Sequence, residues 1–146
     1  MSTKHEDANL ILRLYELRRE EVMRKARSWF IGFSPESLED FQKVFADPQK
    51  SAYFRMVATY WDMAAWLVNN GAIDEQMFND ANGEHIAIFS KLEPFLEEMR
   101  KQSNSPNQFK HLEQLVMRLP NAKERLAMTR ERLKAMTAAR GEAHQN

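Results

Sequence analysis

Arg55, Thr59, Asp62 and Trp66 follow one another at spacings of four, three and four inside an otherwise apolar stretch of this 146-residue chain. That spacing puts all four on one face of a helix. A carboxylate among apolar neighbours needs a partner, and the pattern admits two kinds of chemistry. In one, Asp62 forms an ion pair with an arginine of another helix, Arg18, Arg19 or Arg27, while Arg55 reaches solvent. In the other, Asp62 is an acid/base group and Arg55 an anion clamp in a small-ligand pocket that Thr59 and Trp66 complete. No serine, histidine or second carboxylate stands at a spacing that would finish a catalytic set. Arg55, Thr59, Asp62 and Trp66 are therefore candidate ligand-binding residues, and no catalytic residue is assigned.

The remaining reactive side chains are poorly arranged for chemistry. A carboxylate-bridged di-metal site in a helical bundle uses a glutamate followed three residues later by a histidine on each of two helices. Neither that spacing nor His-Glu-x-x-His occurs among the 4 histidines and 21 acidic residues. Glu84-His85 and His111-Leu112-Glu113 diverge around a helix, so no metal and no cofactor is expected. Gly32, Gly71, Gly83 and Gly141 are isolated and make no phosphate-cradling loop. Ser34, Ser51 and Ser90 have no histidine nearby in sequence to activate them. The absence of cysteine removes thiol nucleophiles, thiolate metal sites and disulfides, and fits a reducing compartment. The 9 methionines and 3 tryptophans could line an apolar cavity, but such residues more often fill a core.

These residues must be held by helices. With 4 glycines and 5 prolines the chain is short of turn formers, while 43% hydrophobic residues suffice for one core. The periodicity predicts a first helix from Asp7 to Trp29 or Phe30, capped by Asp7 or Asn9, with an apolar stripe of Leu14, Tyr15, Val22, Met23, Ala26, Trp29 and Phe30. Ser34-Pro35-Glu36 opens a second helix lined by Leu38, Phe41, Val44 and Phe45. Asp47-Pro48 breaks it, and Ser51 caps a third. From Ala52 to Asn70 nearly every position is apolar, so this helix is expected to be surrounded by others, with Met56, Tyr60, Trp61, Ala64 and Leu67 near the centre. Asn69-Asn70-Gly71 stops it, and Asp74 caps a short segment. A helix from Glu84 to about Lys101 follows, kinked at Pro94, which cannot donate to Ser90. After the loop at 102–107 come a helix to Leu119 and, beyond Pro120-Asn121, a last one to about Ala139.

The charge is uneven although the net is zero. Residues 1–117 hold 14 basic and 18 acidic side chains, and residues 118–146 hold 7 and 3. The basic end has no aromatic residue to stack on a base, so specific nucleic-acid binding is not expected. Leu126, Leu133 and Met136 keep the spacing of a packed seam on that end, whose helix is expected to be solvated or held by a partner. Self-association, as a dimer to which residues 119–140 contribute, is the partner expectation. No stretch is apolar enough to span a membrane and the N-terminal segment lacks a signal-peptide core, so a cytoplasmic protein is expected.

Three short patterns carry a resemblance: Arg24-Lys25-Ala26-Arg27-Ser28-Trp29, Gly71-Ala72-Ile73-Asp74-Glu75, and Leu92-Glu93-Pro94-Phe95-Leu96 through Arg100, with Phe109, Glu113 and Leu115 beyond. Over about residues 13–116 the chain resembles an uncharacterised bacterial helical family, a domain of unknown function. The resemblance implies a compact all-helical domain and transfers no activity, substrate or cofactor. The full expectation is an all-α bundle of five to seven helices over residues 1–119 with a basic helix and tail at 120–146. Its expected role is that of a non-enzymatic interaction or regulatory module, the alternative being a small-molecule binder or enzyme with its pocket at Arg55 and Asp62.

Overall fold

The structure, a computed structural model, describes the backbone of residues 3–145 and side chains as far as Gly141; the outermost residues of the two expected segments lie outside this range. The described residues form no strand. The helices are α1 (Lys4–Leu17), α2 (Glu21–Gly32), α3 (Leu38–Ala46), α4 (Pro48–Asn69), α5 (Glu75–Ala81), α6 (Glu84–Leu92), α7 (Leu96–Gln102), α8 (Lys110–Met117) and α9 (Ala122–Gln145), with a single 3-10 turn, Glu93–Phe95, joining α6 to α7. Taken as one kinked rod, α6 and α7 leave eight helical rods among the described residues, not five to seven.

The extra rod comes from the first helix, which breaks at Arg18–Glu20. Arg18 closes α1, and Glu20 turns its carboxylate back onto the Val22 and Met23 amides to start α2. A glutamate capping its own helix is outside the usual Ser, Thr, Asp and Asn set, so the composition gave no sign of the break. The first cap is also not Asp7 or Asn9: Thr3 and Glu6 form a reciprocal capping box. Asp7 is buried, and its Oδ2 accepts the Asp74 amide at 2.9 Å, joining α1 to the start of α5. Ser51 likewise caps nothing, because α4 begins earlier, with Asp47 accepting the Lys50 amide and Pro48 in the first turn.

α4 packs against α2, α3 and α8, while α6 packs against α8 and α9. The core between them is aromatic. Phe54 stacks on Phe30 at 5.4 Å and meets Phe41, Phe45 and Phe109, so one ring joins α2, α3, α4 and the start of α8. Trp61 and Ala64 are fully buried, whereas Met56, Tyr60 and Leu67 are only partly so, and Tyr15, Val22 and Phe45 are exposed. Its neighbours do not close the circle around α4: Arg55, Thr59, Met63 and Trp66 stay exposed and form an outward stripe. At its end Gly71 adopts φ +79°, which lets the Ala72 amide reach back to Leu67 O at 2.9 Å.

Pro94 has a consequence for the whole molecule. The Ser90 carbonyl, which a helical amide at position 94 would have capped, accepts instead from Arg130 Nη1 of α9 at 2.9 Å, and Arg130 also pairs with Glu93 at 3.3 Å. Leu126 and Leu133 are buried on the same side of α9. The basic helix, expected to be solvated or partner-bound, thus seats its first half on its own α6. No helix among the described residues is long and apolar enough to cross a membrane.

Candidate functional site

The four candidate residues lie on the stripe of α4 that its neighbours leave open. Arg55 Nη1 donates to Ser51 Oγ at 2.8 Å one turn back, and the Thr59 hydroxyl donates to Arg55 O. Asp62 Oδ1 accepts the amide of Leu112 at 2.9 Å, satisfying one of the open donors in the first turn of α8. Arg18 and Arg27 are hydrogen-bonded elsewhere and Arg19 lies over the Tyr15 ring, so the expected ion pair does not form. Helix geometry explains the difference, since a carboxylate placed at another helix's N-terminus gains from both the free amides and the helix dipole. Trp66 is 46% exposed, and Met63, one turn before it, is 42% exposed. Neither of the two described cavities is lined by Arg55, Thr59, Asp62 or Trp66.

A second polar group, whose pairing no local spacing signals, lies under the α1–α2 corner. Arg27 of α2 grips Glu84 of α6 with Nε at 3.0 Å from each oxygen and Nη2 at 2.7 Å from Oε2, while its Nη1 donates to Arg18 O at 3.2 Å. Glu84 Oε1 also takes the Trp61 indole N–H at 3.4 Å. Arg18 donates to Asn82 Oδ1 at 2.8 Å and lays its guanidinium over Trp61 and Tyr15. Tyr60 donates its hydroxyl to Leu14 O, and burial pushes that phenol up to about 12. The hydrogen bonds that Arg27 donates to Glu84 raise the guanidinium above its ordinary value. With each of these groups tied to another, the arrangement clamps α1, α2, α4 and α6 together and offers no free nucleophile or base. One signal was available: Glu84 and His85 stand three or four residues before Ile88 and Phe89, hence toward the inner side of their helix.

The clamp has a measurable signature. Glu84→Ala strands a guanidinium and an indole N–H, and should cost about 2 to 3 kcal/mol, below the figure for a fully buried pair because both side chains keep some solvent access. Arg27→Met with Glu84→Leu should cost less than Glu84→Ala alone. Urea melts of Glu84→Ala and of the double variant check this, and a double variant that costs as much as Glu84→Ala or more would contradict it.

Residues 3–119 match the family described as a domain of unknown function, DUF4760. The chain belongs to this family. No curated protein and no solved structure matches it significantly. Within the DUF4760 segment the short patterns that carry the resemblance occupy structural positions. Gly71 and Asp74 form the α4 stop and the α5 cap. Arg100 holds Gln108 O at 3.0 and 2.8 Å and Glu113 at 3.0 Å, fixing the loop that brings the left-handed, buried Phe109 under Phe54. The DUF4760 match ends at Leu119, in the turn between α8 and α9, so α9 follows it. Among the described residues no three histidine, aspartate or glutamate side chains gather as a metal-binding group.

Proposed function

We propose that this DUF4760 protein is a non-enzymatic helical interaction module that pairs with a second copy of itself along the outward stripe of α4. The observation that carries the reading is Trp66, a large ring left half-exposed on the helix that otherwise builds the core. Tryptophan and arginine are over-represented at the energetic centres of interfaces and methionine is enriched in interfaces at large, and the stripe holds all three.

Its spacing favours an identical partner. A two-fold axis requires that if residue i meets residue j, then j meets i. The four-three-four pattern meets that condition in an antiparallel pair: centred between Tyr60 and Trp61, it puts Arg55 against Trp66 of the second copy and Thr59 against Asp62 of the second copy. The first is a cation–π contact. In the second, the hydroxyl meets a carboxylate whose Oδ1 is bonded to Leu112 and whose Oδ2 has no hydrogen bond among the described residues. The burial of Leu126 and Leu133 on α6 leaves Met128 and Met136 as the exposed large apolar residues of α9, a weaker basis for the dimer. The cysteine-free composition fits a cytoplasmic setting for such a module.

Sedimentation equilibrium tests the pairing. The full chain should be dimeric at about 100 μM, well above a micromolar dissociation constant. Trp66→Ala and Arg55→Glu should each shift it to monomer, and Met128→Glu with Met136→Glu should leave the dimer intact. A monomeric wild-type chain, or a dimer lost only in the methionine variant, would overturn the reading.

A further inference from the structure

A cavity of about 430 Å³ that none of the stripe residues lines opens between the α2–α3 connection, the Pro94 kink and α9. Its size lies within the range of small-ligand sites, about 300 to 1,000 Å³. Lys91 forms part of its inner wall and is only 4% exposed. The Lys91 ammonium donates to Ile31 O at 2.8 Å and to Phe33 O, which uses two of its three N–H groups. No carboxylate pairs with it among the described residues, unlike the other two cations of the cavity: Arg130 has Glu93 at 3.3 Å, and Lys134 has Glu36 at 3.4 Å across the exposed rim. Burial without a counter-ion lowers Lys91 to about 8. Phe95 and Leu133 supply apolar surface beside it.

We infer that this cavity binds a small organic carboxylate, its anionic head taken by Lys91 and its apolar body lying against Phe95 and Leu133. A buried ammonium with a spare donor and no counter-ion lacks what a carboxylate brings, a charge-assisted hydrogen bond. Glu131 and Glu36 at the mouth disfavour a more highly charged anion such as phosphate. Because one wall is α9, the ligand bridges the DUF4760 segment and the helix that follows it, which gives that helix a ligand-dependent hold on the body.

Titration of the full chain with phenylacetate, followed by amide NMR, tests the site. Phenylacetate should bind saturably and move the amide signals around Lys91, Phe95 and Leu133. Its neutral isostere phenylacetamide should bind roughly tenfold more weakly, as expected where one charge-assisted bond is lost. Lys91→Met should abolish binding. Since loss of a buried lysine can disturb the fold, Lys134→Glu at the exposed rim serves as the second variant. It should keep the wild-type helical spectrum and weaken phenylacetate roughly threefold, the scale of an exposed charge interaction. The inference fails if there is no saturable binding, if the amide binds as well as the acid, if inorganic phosphate displaces phenylacetate at equal concentration, or if Lys134→Glu binds it as the wild type does.

Discussion

Trp61→Ala is expected to cost about 3 to 5 kcal/mol, the range for removing a large buried aromatic ring and a large part of a typical domain's stability. The ring is 1% exposed and meets Tyr60 at 4.9 Å, His85 at 5.7 Å and Phe78 at 6.3 Å, joining α4, α5 and α6. Its loss leaves a cavity that these rigid neighbours cannot fill. It also strips the Arg18 guanidinium of the face it covers and Glu84 of an N–H donor. Trp61→Phe separates the two contributions: the ring volume is largely kept, so the cost should fall to about 1 to 2 kcal/mol, mainly the lost hydrogen bond and the smaller ring. Urea or thermal unfolding measures both, and a Trp61→Ala cost under about 1 kcal/mol would place the ring outside the core.

Acid should destabilise the protein through His85. The imidazole is fully buried; its Nε2 donates to Asn79 Oδ1 at 3.0 Å, and its Nδ1 has no partner among the described residues. Burial first, then the charges of Arg125 and Arg18, lowers it from 6.5 to about 4. In the unfolded chain the ring protonates near pH 6.5, whereas in the folded chain it stays neutral until about pH 4. The unfolded state therefore holds more protons across that window, so the stability present above pH 6.5 is lost as the pH falls toward 4. At about 1.4 kcal/mol per unit, the loss is on the order of 3 kcal/mol. His85→Leu should remove that part of the slope even if its stability at pH 7 differs from wild type. Unfolding free energies at pH 7 and pH 4.5 for both proteins decide it; an equal loss in each would show that other groups carry the acid sensitivity.

Much of the fold could be read from local patterns. Gly71 after two asparagines, Asp74 before a short amphipathic segment, and Pro94 inside a continuing stripe each act within a turn or two of chain, and each does in the structure what its chemistry requires. The break at Arg18–Glu20 was not readable, because the apolar period runs through it and a glutamate serves as the cap. The burial of α9 was not readable either. Its leucine spacing suits its own bundle, a partner or a second copy equally; in the structure α9 packs on α6, where Arg130 takes the Ser90 carbonyl that Pro94 leaves open, 40 residues away.

The same division holds for the functional residues. By itself the sequence determined that Arg55, Thr59, Asp62 and Trp66 share one helical face, because that follows from 3.6 residues per turn alone. It also determined the all-helical character and the reach of the DUF4760 segment. Tertiary structure alone decided that Asp62 meets a helix N-terminus rather than an arginine, that Arg27 takes Glu84 across 57 residues, and that Lys91 is buried against two carbonyls with no counter-ion among the described residues. Periodicity fixes the direction in which a side chain leaves its own helix, but the partner it meets is set by how separate helices pack, and that depends on side chains far apart in the chain.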